Sequence, residues 1–207
     1  MSKTYLDKTI LDYFKSEDHA IFKQIQKVDF KKWLLRKKNN KQEYFIALIR
    51  QIISQQLSGK AANKIQRRFE ALFKNNEITP VELLKFEDQK LRNAGMSWAK
   101  ASYVKNIATA ILGEEICWDD FHELSDEDVI AELTKIKGIG RWTAEMFLMF
   151  TLGRKDVFSH GDIGLRRGLE KLYNLDNPSK KQIESIVSKW IPYRTFGSIA
   201  LWQSLEK

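Results

Sequence analysis

Asp162 is a candidate catalytic carboxylate. It follows a glycine-containing turn by about twenty residues and directly precedes a predicted helix. The positive end of a helix dipole favours a negative charge at that place. A carboxylate there could stabilise an oxocarbenium-like cation or activate a water molecule, as carboxylates do in glycoside hydrolysis. Aspartate is also among the best helix N-caps, so a purely structural role is the alternative.

The preceding turn lies between two apolar helices and has glycines two residues apart, Gly138 and Gly140. Glycine permits φ > 0 and leaves no side chain between the main chain and a ligand. Free N–H groups that open the second helix would point outward, where a phosphate can bind. We therefore predict a helix-hairpin-helix that binds a nucleic-acid backbone, with Arg141 and Thr143 contributing. A tight turn between two packed helices is the alternative.

Helical periodicity dominates the remaining chain, which has three prolines, ten glycines and little β-branched alternation. This pattern predicts a nearly all-α fold, with helix starts at Ser97, Ser125, Ser179 and the Thr79-Pro80 pair. Further helices are predicted over residues 4–15, 18–28, 43–56, 60–73 and 193–205. Since no linker stands out, we expect one compact domain over 1–207, with N-terminal helices and a basic segment in 1–42 and the core in 43–204.

Composition limits the possible chemistry and partners. The net charge of +8 suits a polyanionic partner without requiring one. The single cysteine, Cys117, excludes an intrachain disulfide, a cysteine-ligated zinc site and an iron–sulfur cluster. Without an apolar signal segment or a stretch of ~20 apolar residues, we expect an intracellular protein with no membrane partner. A basic patch is interpreted as a solvated face or a DNA contact; it comprises Lys31, Lys32, Arg36, Lys37, Lys38 and Lys41.

Five segments, in this order, carry a resemblance to a known family. They are 52–58, 95–97, 136–144, 157–162 and 190–194. Through them, residues 43–204 resemble the helix-hairpin-helix/Gly-Pro-Asp superfamily of DNA glycosylases, and within it the alkylation-repair branch typified by DNA-3-methyladenine glycosylase II. The Gly-Pro-Asp loop reads His160, Gly161, Asp162 here, which keeps the aspartate.

The resemblance implies two α-helical lobes with a cleft between them, the hairpin at the cleft mouth and Asp162 as the catalytic aspartate. Relatives that also cut the strand use a lysine that forms a Schiff base, and Trp142 stands at its position. A monofunctional enzyme without lyase activity is therefore expected. The single cysteine argues against the endonuclease III and adenine-mismatch branches, which carry a cysteine cluster.

The resemblance also implies a pocket for a flipped, cationic purine, which indole rings accept by stacking and cation–π attraction. Trp142 and Trp202 match aromatic positions of that pocket, and core packing is the alternative for each. Met146 stands where some relatives have an aromatic residue. His160 is interpreted as an exposed loop residue, with water positioning as the alternative.

In relatives, a side chain from the helix break fills the hole that a flipped base leaves. Here the resemblance implies Gln56 or Leu57 as this plug, with Ser58 reaching toward the minor groove. A loop whose glutamines cap helix ends is the alternative. The carbonyls of Ile136 and Ile139 are expected to hold a structural monovalent cation, and no other cofactor is implied.

The implied activity is excision of alkylated purines of the 3-methyladenine and 7-methylguanine type from duplex DNA by a monomer, leaving an abasic site. A non-catalytic module that binds distorted duplex is the competing hypothesis, because it needs the hairpin and the positive charge but not Asp162. A glycosylase for oxidised or mismatched bases is the third possibility.

Overall fold

The computed structural model describes residues 6–30, 40–57, 59–113, 116 and 118–206. Most of these residues are helical and none of them forms a strand, which confirms the predicted all-α fold. Within the same ranges, every helix is too short or too polar to cross a membrane. The basic patch from Lys31 to Lys38, Ser58 and Cys117 lie outside the described residues.

The α-helices are numbered in chain order. They are α1 (Lys8–Glu17), α2 (His19–Ile25), α3 (Lys41–Ser54), α4 (Gly59–Glu70), α5 (Pro80–Leu84), α6 (Asp88–Asn93), α7 (Trp98–Leu112), α8 (Asp126–Thr134), α9 (Arg141–Phe147), α10 (Ile163–Tyr173), α11 (Lys180–Val187) and α12 (Arg194–Leu205). Short 3₁₀ turns occur at Lys74–Asn76, Trp118–His122 and Ser188–Trp190, and a π-helical turn at Leu148–Leu152 follows α9.

Side-chain caps fix several helix starts where the sequence predicts them. Ser97 caps α7 and Ser125 caps α8, each by accepting a hydrogen bond from a backbone N–H of the first turn. Ser179 and Gln182 form the reciprocal capping box that opens α11. These starts depend on neighbouring residues alone, which is why local sequence predicts them.

The start of α5 differs in one detail from the prediction. Thr79 accepts from the N–H of Glu82, and Pro80 occupies the first helical position as expected. The Glu82 carboxylate, however, binds Lys85 at 2.5 Å instead of completing a capping box. The helix is only five residues long and is followed by α6, so two short helices occupy this part of the chain.

The chain divides into two compact units. One comprises Met1–Arg36 together with Leu148–Lys207, and the other comprises Lys37–Phe147. The N-terminal helices are therefore part of the same unit as the C-terminal helices.

The first unit has a core of apolar side chains from α1, α2, α10, α11 and α12. Asp18 caps α2, and its Oδ2 accepts from the hydroxyl of Tyr173 at 2.6 Å and from Nε1 of Trp190 at 3.0 Å. Burial, followed by the bond to Asp18, raises the pKa of Tyr173. Gly168 lets α10 approach α12 closely, because a Cβ there would lie 2.9 Å from Cβ of Leu201.

The second unit is built around α3, which packs against α4, α7 and α9. Its apolar residues are buried, and Tyr44 contacts the rings of Phe121 and Phe147. The Tyr44 hydroxyl lies 3.1 Å from Nε2 of His122, and burial raises the pKa of Tyr44. This core supports both the α3–α4 turn and the hairpin between α8 and α9.

Candidate active site

Asp162 lies in the first unit, where it is the N-cap of α10. Its Oδ1 accepts from the backbone N–H of Leu165 at 2.7 Å. The same oxygen accepts from Nε1 of Trp202 at 3.0 Å. The capping role considered from the sequence is confirmed, and the two donors fix the orientation of the carboxylate. A catalytic role for Asp162 stays a prediction.

Trp202 reaches Asp162 from α12. Its indole is partly buried and lies against Phe150, with ring centroids 5.9 Å apart. A Cβ at Gly164 would lie 3.0 Å from Oδ1 of Asp162 and 3.0 Å from Nε1 of Trp202, so glycine leaves room for this hydrogen bond. The sequence predicts Trp202 as a base-pocket residue; the structure adds that it positions the carboxylate.

His160 precedes Asp162 by two residues and is engaged by side chains of the first unit. Its Nε2 lies 3.0 Å from Oε2 of Glu184, and its ring meets Phe158 edge-on at 5.1 Å. Only 33% of the side chain is exposed. His160 as a whole residue is exposed, in agreement with the interpretation of an exposed loop residue, and a role in positioning water stays a prediction.

The hairpin turn lies in the second unit, between α8 and α9, and packs on α7. Gly138 has φ +111°, and a Cβ there would lie 2.3 Å from Cγ of Tyr103. Asn106 donates to the carbonyl of Lys137 at 2.9 Å. Gly140 has no atom within 4 Å of a Cβ position, and its φ is outside the left-handed region. The positive φ that glycine permits therefore occurs at Gly138 and not at Gly140.

Arg141, predicted as the exposed cation of the hairpin, is already paired with two carboxylates. Its guanidinium donates two hydrogen bonds to Glu127, at 2.9 and 2.5 Å, and its Nε donates to Glu145 at 3.0 Å. The bond to Glu127 raises the pKa of Arg141. These bonds use three of the five N–H donors and the side chain is 57% exposed, so a phosphate could be bound by the two remaining donors or by exchange with Glu127.

Thr143 is buried, with 2% of its surface exposed, and its hydroxyl accepts from Nε2 of Gln55 at 2.9 Å. A DNA contact by Thr143 stays a prediction. The hydroxyl joins α9 to the turn that follows α3, so the hairpin helix and this turn are held together within the second unit.

The turn after α3 presents the predicted plug residues to solvent. Gln56 is exposed with φ +57°, and the side chain of Leu57 is 39% exposed. Lys100, on α7, donates through Nζ to the carbonyls of Ile53 at 2.8 Å and Gln55 at 2.7 Å. Burial lowers the pKa of Lys100. Sequence reasoning missed this lysine, because no local signal links it to a turn 45 residues earlier.

The two remaining pocket candidates lie on α9. Trp142 is partly exposed, whereas Met146 is buried with 5% of its surface exposed. Trp142 lies in the first turn of the helix, directly beside the hairpin. Their roles in a base pocket stay predictions.

The predicted cation site consists of backbone atoms in the hairpin. The carbonyl of Ile136 accepts from the N–H of Ile139 at 3.0 Å. A carbonyl oxygen has two lone pairs, so one remains with which Ile136 could coordinate a cation. A cation at the carbonyls of Ile136 and Ile139 stays a prediction.

The family model described as HhH-GPD superfamily base excision DNA repair protein matches residues 49–193. DNA-3-methyladenine glycosylase 1 of Schizosaccharomyces pombe is 38% identical over 167 residues, which are 79% of this chain and 73% of the relative.

Two solved structures are similar over nearly the whole chain. The 3-methyladenine DNA glycosylase of Schizosaccharomyces pombe in complex with abasic DNA has a TM-score of 0.82 at 32% identity, covering 95% of this chain and 96% of its own. A DNA-3-methyladenine glycosidase from Bacillus halodurans has a TM-score of 0.77 at 36% identity, covering 96% and 89%. This chain belongs to the HhH-GPD superfamily of base excision DNA repair proteins.

Proposed function

We propose that the protein is a monofunctional DNA glycosylase that flips alkylated purines out of duplex DNA and hydrolyses their N-glycosidic bond, leaving an abasic site for base excision repair. The substrates are purines of the 3-methyladenine and 7-methylguanine type. The observation that carries the proposal is the Asp162 carboxylate, held at the start of α10 by two N–H donors. Relatives named as DNA-3-methyladenine glycosylases support it.

Hydrolysis of the N-glycosidic bond of an alkylated purine requires little from the enzyme beyond a negative charge that stabilises the sugar cation. An alkylated purine carries a formal positive charge, so it leaves with the bonding electron pair as a neutral base. The sugar then develops oxocarbenium character, which the negative charge of Asp162 stabilises. A water molecule forms the new bond to the sugar carbon and gives its proton to the carboxylate or to solvent.

DNA recognition is assigned to groups of both units. Backbone N–H groups of the hairpin, around Gly138 and Gly140, bind a phosphate, and Arg141 adds a charge when it exchanges partners. Gln56 or Leu57 fills the hole in the duplex. The residues proposed to stack on or line a flipped base are Trp202 of the first unit and Trp142 and Met146 of the second.

The reaction as proposed consumes only water and uses no redox or group-transfer cofactor. A monovalent cation at the carbonyls of Ile136 and Ile139 would be structural and would bridge the hairpin to phosphate. The proposed partner is duplex DNA with alkylated bases, bound by a monomer inside the cell.

The test is base release from methylated duplex DNA by the wild type and by Asp162→Asn, with borohydride trapping run in parallel. Asparagine keeps an oxygen that accepts from Leu165 and Trp202, so the fold and DNA binding should be retained while release is lost. Asp7→Asn is the matched control, because Asp7 is also an N-cap aspartate, on α1. It should release bases at the wild-type rate.

Each outcome bears on the proposal. Release by the wild type and the control only, with no trapped adduct, supports a monofunctional glycosylase. A trapped adduct would contradict it, because a Schiff base requires an amine nucleophile. DNA binding without release of any lesion by the wild type would favour the non-catalytic module instead.

A further inference from the structure

Helix α4 has two different faces. Ala62 and Phe69 lie on one face and are buried inside the second unit, to which α4 belongs. Four exposed cations lie on the opposite side, at spacings of three, four and seven residues, and Asn63 lies between them. We call the four cations the basic stripe: Lys60, Lys64, Arg67 and Arg68. At 100° per residue these positions share one side of the helix. Together with Asn63 they line an open concavity of ≈ 400 Å³.

The charges of the basic stripe are not neutralised within the described part of the chain. Some exposed lysines elsewhere in the second unit do pair with carboxylates, as Lys85 does with Glu82 and Lys135 with Glu132. In the described ranges, no carboxylate lies within ion-pair distance of the basic stripe. The one acid of α4, Glu70, pairs with Arg50 on α3 at 3.1 Å.

Arg67 and Arg68 lie in the last turn, where the helix dipole favours a cation, but the other charges are unfavourable for the helix itself. Lys60 and Lys64, like Lys64 and Arg68, are four residues apart, and like charges at that spacing repel each other. Lys60 also lies in the first turn, near the positive end of the helix dipole, where a cation is unfavourable. Since these residues neither pack in the core nor pair with acids, an external polyanion best accounts for them.

We propose that the basic stripe binds the phosphate backbone of the duplex that flanks the lesion, in addition to the contacts of the hairpin and of the α3–α4 turn. Helix α4 begins two residues after Leu57, so the basic stripe continues directly from the proposed plug. From Lys60 to Arg68 the helix rises ~12 Å. That length matches about three phosphates of one strand, which advances ~3.4 Å per nucleotide along the duplex axis.

The inference rests on the proposed function only in taking DNA as the partner. Contacts to phosphates carry no sequence information, so the basic stripe should bind damaged and undamaged duplex alike. It should therefore change the affinity for DNA and its salt dependence, and leave the chemical step unchanged.

The experiment compares two variants of the full chain that change the net charge equally. In the test variant all four residues of the basic stripe become glutamine. In the control variant four lysines outside α4 become glutamine: Lys23, Lys85, Lys90 and Lys171. The dissociation constant for an undamaged duplex is measured between about 50 and 200 mM salt, and release of methylated bases is measured in single turnover at saturating enzyme.

For the test variant we expect roughly tenfold weaker binding of duplex DNA at about 100 mM salt. The slope of the logarithm of the binding constant against the logarithm of the salt concentration should be shallower by about 0.9 for each phosphate that the variant no longer neutralises. The control should keep a slope close to the wild type, and both variants should release bases at the wild-type rate. The thermal midpoint of the test variant should change little, because the relief of like-charge repulsion is offset by the loss of Arg67 and Arg68 from the last turn, where the helix dipole favours cations.

Equal slopes and affinities in the two variants would overturn the inference. Failure of the proposed function is distinguishable from this result. If the wild type releases no base and the slope still falls in the test variant, the basic stripe stands as a DNA contact without the glycosylase. If release occurs and the slope does not change, only the basic stripe is refuted.

Discussion

Trp202 donates its indole N–H to Oδ1 of Asp162 at 3.0 Å, the same oxygen that accepts the capping bond of α10. The carboxylate is thus oriented by the start of one helix and by a side chain of another, α12. Hydrogen bonds to a charged group contribute more than those between neutral groups. The orientation of Asp162 therefore depends on a residue 40 positions away in the sequence.

Replacing Trp202 with phenylalanine should separate positioning from stacking. Trp202→Phe keeps an aromatic ring but removes the N–H donor, so we expect kcat to fall about tenfold, equivalent to ~1.4 kcal/mol, with KM little changed. Trp202→Ala should also raise KM. Trp98→Phe, at an exposed tryptophan, is the control. Wild-type kcat in Trp202→Phe would show that the hydrogen bond does not matter for catalysis.

The two glycines of the hairpin should respond differently to alanine. Gly138→Ala introduces a methyl group 2.3 Å from Tyr103 at φ +111°, and we expect a loss of about 1–3 kcal/mol in the free energy of unfolding. Gly140→Ala meets no atom within 4 Å, so it should fold normally and weaken DNA binding if a phosphate approaches there. Denaturant unfolding and DNA titration measure both effects. A Gly138→Ala protein as stable as the wild type would contradict the predicted clash.

Lys100 should be needed to hold the turn after α3. Lys100→Met leaves the carbonyls of Ile53 and Gln55 without their shared donor, so we expect a loss of ~1–3 kcal/mol in stability and weaker binding of duplex DNA. Lys105→Met is the control on the same helix, since Lys105 pairs with the partly exposed Asp88. If both variants lose the same stability and affinity, the bonds of Lys100 to the turn have no special role.

The Arg141–Glu127 pair predicts a pH dependence. The hydrogen bond from Arg141 holds the pKa of Glu127 below its usual 4.5 in the folded state. The pair therefore stabilises the fold above pH 4.5, and this contribution decreases as pH falls through the lower folded pKa. Because Glu127 is exposed, Glu127→Gln should cost only about 0.2–1 kcal/mol at about pH 7.

Unfolding of Glu127→Gln and the wild type should be compared from about pH 7 down to about pH 3, at low and high salt. The difference should shrink at acid pH and at high salt, because protonation and screening both weaken the pair. A difference that grows toward acid pH would contradict the assigned direction. If Arg141 exchanges Glu127 for phosphate, Glu127→Gln should also bind DNA at least as tightly as the wild type.

The sequence predicts those features that depend on neighbouring residues. The caps at Ser97, Ser125 and Ser179 are read from three or four residues each, and they mark helix starts correctly. The hairpin and Asp162 are likewise identified from local patterns. Local patterns do not identify the hydrogen-bond partners of these features, since the bond from Gln55 to Thr143, for example, joins residues 88 positions apart.

Long-range contacts also explain what could not be predicted from the sequence. Arg141 is exposed as predicted, but its pairing with Glu127 could not be foreseen, because Glu127 is 14 residues earlier on another helix. Gly140 resembles Gly138 in the sequence, and only the position of Tyr103 and the backbone angles distinguish them. Periodicity shows that the chain is helical but does not show which helices share a core.

Asp18 joins Tyr173 and Trp190 in the first unit, across 155 and 172 residues. That unit consists of two chain segments separated by the entire second unit, Lys37–Phe147, which is continuous in sequence. During synthesis the second unit can therefore complete its core as soon as its last helix has left the ribosome, whereas α1 and α2 must wait for α10–α12. Until α10–α12 are made, the apolar faces of α1 and α2 lack the helices that bury them. The order of translation therefore makes these N-terminal helices the part of the nascent chain most exposed to chaperones and to aggregation.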